Sequence, residues 1–152
     1  MQLIDYNQFA ILRLRDFLPD GAAVAEVFDW EWMGSCWYNE SIGFTSFSRH
    51  LSMPDQTGGL EISFSELSEE GSQRLLNAIG LPLRPGMSAP EVLSVMGPPA
   101  ETRQFVPGRR SHEFTLGISQ PYFVGCTVDD KEGLIYLTVV LQELLDRDER
   151  NA

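Results

Sequence analysis

The clearest structural pattern in the chain lies in residues 80–99, Gly80-Leu-Pro-Leu-Arg-Pro-Gly-Met-Ser-Ala-Pro-Glu-Val-Leu-Ser-Val-Met-Gly-Pro-Pro99. The prolines of the first half exclude a helix there, and Gly86 is expected to take a positive φ. Ser88 predicts a helix N-cap, with Glu91 three residues later completing a capping box. Pro90 fits the first turn, and Gly97 followed by two prolines ends the helix. The stretch therefore predicts a short helix after an extended turn.

Upstream of this helix, the pattern predicts two further helices separated by strands. The first helix is expected to begin at Asp5 and to end near Leu18, and the second to begin at Ser68 and to end at Gly80. Alternation of apolar and polar residues predicts the strands between them. The predicted strand segments are residues 24–38, divided by a turn at Gly34-Ser35, residues 42–53, ended by Pro54-Asp55 and Gly58-Gly59, and residues 60–64.

Downstream of the helix, four strands are predicted, at residues 102–106, 112–116, 122–128 and 134–141. The charged segment from Gln142 to Ala152 is expected to fray. These elements predict an α+β fold with antiparallel sheet and short helices, in which the C-terminal helix is followed by a four-strand meander. The 152 residues are expected to form a single domain, either one continuous curved sheet or two related lobes with a soft boundary near residues 80–86.

Composition and charge restrict the function classes. The net charge is −11 and the sequence pI is about 4.5. Nucleic-acid binding is not expected, because phosphate contacts need clustered Lys and Arg, whereas an acidic chain suits a basic protein partner. No secretory signal and no apolar run of membrane-spanning length is visible, so a cytoplasmic location without a membrane partner is expected.

One segment resembles a catalytic signature. Gly34-Ser35-Cys36-Trp37 is similar to the end of the active-site box of papain-like cysteine proteases, in which a thiolate pairs with a downstream histidine. His112, with Asp129 or Asn39, would have to supply the partners. Carboxylates near Cys36 would raise its pKa, so a small buried cysteine is the favoured interpretation. The sequence leaves open whether Cys36 and Cys126 are paired.

No metal or cofactor site is expected. His50 and His112 have no ligand partner at helical spacing. The segment Asp129-Asp130-Lys131-Glu132-Gly133 lacks the alternating oxygens of an EF-hand, which favours a hairpin turn. Gly58-Gly59 has no following Lys and does not predict a phosphate-binding loop.

The charge is concentrated in one window. Between Glu26 and Glu70 there are nine acidic residues and one basic residue, Arg49, and all three tryptophans lie in the same window. Aromatic anchors in an acidic field are typical of an interface for a basic partner. The alternative is that the tryptophans fill the core while the carboxylates face water. The predicted partner-binding residues are Glu26, Asp29, Trp30, Glu31, Trp32, Trp37, Tyr38 and Glu40.

Residues 81–140 contain Pro85-Gly86-Met87-Ser88, then Val95-Met96-Gly97-Pro98-Pro99, and later Gly133-Leu134-Ile135. This order resembles the BamE-like (SmpA/OmlA) type of small α+β module, in which such a start precedes an apolar helix and an antiparallel meander. The resemblance implies a fold and no catalytic residues. As a small acidic chain, the protein also looks like bacterial toxin-neutralising immunity proteins.

The leading hypothesis from the sequence is therefore a non-enzymatic cytoplasmic protein-binding module, specifically an immunity protein that neutralises a basic toxin. The first alternative is a small cysteine hydrolase centred on Cys36. The second is a ligand-binding or scaffold protein whose aromatic strand lines a pocket. The pattern specifies no oligomeric state.

Overall fold

A computed structural model describes residues 4–18, 22–29, 34–39, 44–48, 56–65 and 67–151. The fold is α+β, as predicted, with one antiparallel sheet of eight strands in the order β1-β2-β3-β4-β8-β7-β6-β5. The strands are β1 (Ala25–Asp29), β2 (Gly34–Asn39), β3 (Phe44–Ser48), β4 (Thr57–Ser63), β5 (Glu101–Val106), β6 (Arg109–Leu116), β7 (Tyr122–Asp129) and β8 (Gly133–Leu141). The helices are α1 (Tyr6–Ala10), a 3-10 helix (Leu14–Phe17), α2 (Glu69–Ile79), α3 (Ala89–Met96) and α4 (Gln142–Asn151).

The sheet consists of two four-stranded meanders joined at its centre. We call β1–β4 the N-terminal half-sheet and β5–β8 the C-terminal half-sheet. The junction is the antiparallel pair β4–β8, in which Leu60 lies opposite Val139 and Ile62 opposite Leu137. All four side chains are buried, so the junction is part of the core. Of the two arrangements considered from the sequence, one continuous sheet is the one formed.

The segment before α3 closes onto the turn between β7 and β8. Ser88 and Glu91 form the predicted capping box, and Gly86 has a φ of 82°. The Gly86 amide donates to the Leu134 carbonyl at 2.9 Å, and the Leu134 amide donates to the Met87 carbonyl at 2.8 Å. The helix α3 and the four-strand meander that follows it are thus confirmed, and the preceding loop is fixed to β8.

The predicted helix from Asp5 to Leu18 is wrong as a single element. The α-helix ends after Ala10, and Arg13 is extended, with a φ of −130° and a ψ of 134°. The Arg13 guanidinium donates to the Ala10 carbonyl at 3.0 Å and to the Leu12 carbonyl at 2.9 Å. These bonds satisfy carbonyls that a continuing helix would have used, so a short 3-10 helix follows instead.

Three other sequence predictions are corrected. Gly34 and Ser35 are not a turn but belong to β2, where they pair with Asp29 and Phe28. Gly58 and Gly59 do not precede a strand but lie inside β4, where both are buried. The stretch Ile42–Met53 is predicted as strand, of which β3 occupies Phe44–Ser48, and the predicted stop at Pro54-Asp55 lies outside the described residues.

The C-terminal segment does not fray over its described length but forms α4. Leu144 is buried in the core and Leu145 packs against it. The Gln142 amide donates to the Pro121 carbonyl at 2.9 Å, which fixes the start of the helix. The prediction of fraying rested on the high charge of this segment and did not consider its two adjacent leucines, which pack in or against the core.

Candidate protein-binding surface

The two half-sheets differ in charge. The window from Glu26 to Glu70, which contains most of the N-terminal half-sheet, has nine acidic residues and one basic residue, a balance of −8. Residues 101–141, the C-terminal half-sheet, have five acidic and four basic residues, a balance of −1. Within the described strands, β1–β4 contain three acidic residues and no Lys or Arg, whereas β5–β8 contain three residues of each sign, so the difference in charge also occurs in the sheet itself. A basic partner would be attracted to one end of the sheet.

Strand β1 forms the outer edge of the N-terminal half-sheet. Glu26 is exposed and has no ion-pair partner among the described residues, and it lies directly opposite Trp37 of β2. Trp37 is half-buried and packs against the core. Val27, the neighbour of Glu26 in the strand, is 48% exposed. A carboxylate and part of an indole therefore lie on one side of this edge, and an exposed aliphatic side chain lies on the other.

The structure places only some of the predicted partner-binding residues on one surface. Successive residues of a strand face opposite sides of the sheet, so Glu26 and Trp37 lie on one side and Tyr38 lies on the other. Asp29 ends β1, opposite Gly34. Trp30, Glu31, Trp32 and Glu40 lie outside the described residues. Among the described residues, Glu26 and Trp37 are the two predicted contact residues that lie on one side of the β1–β2 pair, and the role of all eight stays a prediction.

Charges of the C-terminal half-sheet are compensated locally. Arg103 contacts Glu101 at 2.8 Å and Glu113 at 3.1 Å, and Arg109 contacts Asp129 at 3.2 Å. Asp129 also accepts hydrogen bonds from the Lys131 and Glu132 amides. These two amides, together with Arg109, hold the pKa of Asp129 below its usual range. The hairpin turn predicted for Asp129–Gly133 is formed. Its amides bind the Asp129 carboxylate, a group that a calcium loop would need as a ligand.

The cysteine-hydrolase constellation is not assembled. Cys36 is in β2 and His112 is in β6, five strand spacings apart, which is about 24 Å along the sheet. Cys126, not Cys36, lies opposite His112. Burial raises the pKa of the Cys126 thiol to about 12, so this thiol is protonated at neutral pH and is no nucleophile. Neither cysteine forms a disulfide, which answers the pairing question that the sequence left open.

Substituting Cys36 by Ala is expected to preserve partner binding and to lower the free energy of unfolding by only about 1 kcal/mol, because the thiol is a small buried group. Binding and urea denaturation of the variant measure the two effects. Appearance of a hydrolytic activity in the wild type that Cys36→Ala abolishes, with the fold unchanged by circular dichroism, would contradict this assignment.

His112 is a buried titratable group in the core. Its Nδ1 lies 3.1 Å from the Thr102 hydroxyl, and its Nε2 has no hydrogen-bond partner among the described residues. Burial, with a smaller contribution from the Arg110 guanidinium, lowers the pKa of His112. The imidazole is therefore neutral in the folded chain at neutral pH.

This environment predicts a loss of stability at mildly acidic pH. The pKa of His112 is lower in the folded than in the unfolded chain. The favourable contribution of the neutral imidazole to the free energy of unfolding is therefore complete above a pH of about 6.5, and it is lost as the pH falls through the folded-state pKa. The expected slope is at most about 1.4 kcal/mol per pH unit. Urea denaturation between pH 7 and pH 5 should show this slope in wild type and a smaller one in His112→Gln; parallel curves would contradict the prediction.

The side of the sheet opposite Leu60 and Ile62 carries a polar cleft that the sequence did not indicate. Its volume is about 240 Å³, and Ser63, Ser65, Arg109, Thr127, Glu132, Ile135 and Tyr136 line it. Burial, together with the Glu61 carboxylate to which the hydroxyl is hydrogen-bonded, raises the pKa of Tyr136. The β6–β7–β8 meander brings five of these residues together, and the pairing of β4 with β8, which no local pattern reveals, adds Ser63 opposite Tyr136.

Comparisons with protein-family models, with curated proteins and with solved structures find no match to this chain. The resemblance to BamE-like modules therefore stays a prediction. Among the described residues, no helix has the length and apolar character needed to cross a membrane. Within the same residues, His, Cys, Asp and Glu side chains form no group of three that could hold a metal ion.

Proposed function

We propose that this chain is a non-enzymatic protein-binding module whose partner is basic, and that the partner class is a basic toxin domain which the chain neutralises in the cytoplasm. The observation that carries the proposal is the charge difference between residues 26–70 and residues 101–141, −8 against −1, together with the absence of Lys and Arg from the described strands β1–β4. A basic surface approaching the molecule is oriented toward the N-terminal half-sheet before contact, which raises the association rate.

The β1 edge supplies the short-range part of the proposed interface. Glu26 and Val27 are exposed there, and part of Trp37 is accessible across the strand pair. Exposed carboxylates can pair with Lys or Arg of the partner, while the aliphatic and aromatic groups can be buried. Neutralisation then requires only that the chain cover the partner's active surface.

The proposal is tested in two steps. The chain is first used to capture binding proteins from a lysate of the source cells, and the captured protein is then co-expressed with the chain. We expect wild type to retain a basic protein whose toxicity the chain relieves, and Glu26→Lys/Asp29→Lys to retain much less of it. The matched control Asp130→Lys/Glu132→Lys makes the same change in net charge at the C-terminal half-sheet and should behave like wild type. Equal capture by all three proteins, or an acidic captured partner, would contradict the proposal.

The polar cleft supports a second candidate function, binding of a small polar ligand. Its hydroxyl groups offer donors and acceptors, and Arg109 and Glu132 add one charge of each sign. Substitution of Thr127 and Ser63 by Val would remove two of these hydroxyls without touching the β1 edge. A ligand lost by this variant, with capture of the basic partner unchanged, would favour the second function.

A further inference from the structure

Strand β5 is an edge strand with exceptional exposure. All six of its residues are exposed, and β6 is its one strand neighbour in the described part of the chain. Phe105 is 78% exposed and Val106 is 51% exposed. An edge of this kind presents backbone N–H and C=O groups to any strand that can approach it. From this edge we infer that two copies of the chain pair through β5, antiparallel, in a two-fold dimer.

For two copies of the chain, charge favours β5 over β1 as the edge at which they meet. Two copies meeting at their β1 edges would bring the acidic residues of both β1 strands together, whereas residues 101–141 have a balance of only −1. Pairing at β5 joins the two eight-stranded sheets into one and separates the two β4 strands by nine strand spacings, about 43 Å. This distance is several times the screening length of about 8 Å at physiological ionic strength. The repulsion between the acidic halves is then small.

The sequence of β5 is self-complementary in an antiparallel arrangement. With the two-fold axis at Thr102, Glu101 of each copy lies opposite Arg103 of the other. The pairing can therefore form two ion pairs between the copies, in addition to the contacts that Arg103 makes with Glu101 and Glu113 of its own chain. Both side chains are about half exposed and can be reached from outside, at 55% for Glu101 and 49% for Arg103.

The position of the β-bulge agrees with this register. The pairing of β5 with β6 is regular from Glu101 to Arg103 and shifts between Arg103 and Val106. Bulges disrupt a strand edge, so the residues beyond Arg103 are poorly suited to pairing. The register centred on Thr102 uses the regular part of the strand and places the bulge at each end of the contact.

The dimer is tested by sedimentation equilibrium of wild type and two single variants. Wild type should have twice the chain mass of 17.1 kDa. Glu101→Lys places two cations opposite each other at both ion pairs, and Arg103→Glu places two carboxylates there, so each variant alone should sediment at 17.1 kDa. An equimolar mixture restores one Lys–Glu and one Glu–Arg pair and should return to twice that mass.

Two further variants keep the inference falsifiable. Glu26→Lys changes the net charge by the same amount as Glu101→Lys, but at the opposite end of the sheet, and should remain dimeric. Phe105→Asp changes an exposed side chain beyond the regular part of β5, so it should leave both the dimer and the fold intact, as sedimentation and circular dichroism would show. A wild type of monomer mass at all concentrations would overturn the inference. A dimer that survives Arg103→Glu, or a mixture that stays monomeric, would overturn it as well.

Discussion

Substituting Gly133 by Ala is expected to lower the free energy of unfolding by about 4 kcal/mol or more, a large part of the stability of about 5–15 kcal/mol that is typical of a domain. Gly133 begins β8 with a φ of 77°, a conformation that residues with a Cβ rarely adopt. A Cβ at this position would overlap the Gly86 carbonyl oxygen and would lie 2.7 Å from the Met87 carbonyl oxygen. The obstacle is backbone on both sides, which cannot rotate away.

Gly86→Ala is the matched control, because Gly86 has nearly the same φ, 82°, but open surroundings. The nearest atom to an added Cβ is the Glu132 carbonyl oxygen at 3.8 Å, which is ordinary contact. The variant should lose only the cost of the left-handed conformation, about 1–2 kcal/mol. Urea denaturation of the two variants measures the difference. Equal losses would mean that the close approach of residues 86–87 to Gly133 does not matter for stability.

Reversing the charge of Glu26 and Asp29 together to Lys is expected to slow association with a basic partner by about tenfold or more at low salt. Steering acts over distances comparable with the screening length, so the association rate of wild type should fall as salt increases. The variant should show a weaker salt dependence because the field at the β1 end is reduced. Stability should change little, since Glu26 is exposed and unpaired among the described residues.

The control variant Asp130→Lys/Glu132→Lys distinguishes the effect of charge at the β1 edge from the effect of the net charge of the chain. It changes the net charge as much as the β1 variant does, but on the turn between β7 and β8. If orientation toward the N-terminal half-sheet determines the rate, this control should associate nearly as fast as wild type. Stopped-flow measurements at two salt concentrations compare the three proteins. Equal slowing of both variants would show that net charge alone matters and that β1 has no special role.

Local signals predicted the C-terminal part of the fold well. The helix from Ala89 to Met96 is determined by a capping box and a terminal glycine within ten residues of one another, and each later strand has its own alternation. The pairing of β4 with β8 has no local signal, because it joins segments separated by residues 64–132. For the same reason the sequence could not decide between one sheet and two lobes.

The candidate site was less predictable than the fold. Charge and tryptophan content identified the acidic window, but the face on which a residue lies depends on strand register. The pairing of β1 with β2, which includes Gly34 opposite Asp29, also decides that Glu26 faces the same side as Trp37. Similarly, the arrangement of Cys126 beside His112 follows from the pairing of β6 with β7, and no spacing in the sequence reveals it.

The pairing of β4 with β8 also constrains the order of folding during synthesis. β4 ends at Ser63, and the strand that covers its open edge begins at Gly133. At about 5–20 residues per second, the ribosome needs several seconds to synthesise the intervening segment. During this interval the edge of β4 is unpaired, and Leu60 and Ile62 lack their cross-strand neighbours in β8. The nascent chain is therefore exposed to aggregation until β8 is synthesised.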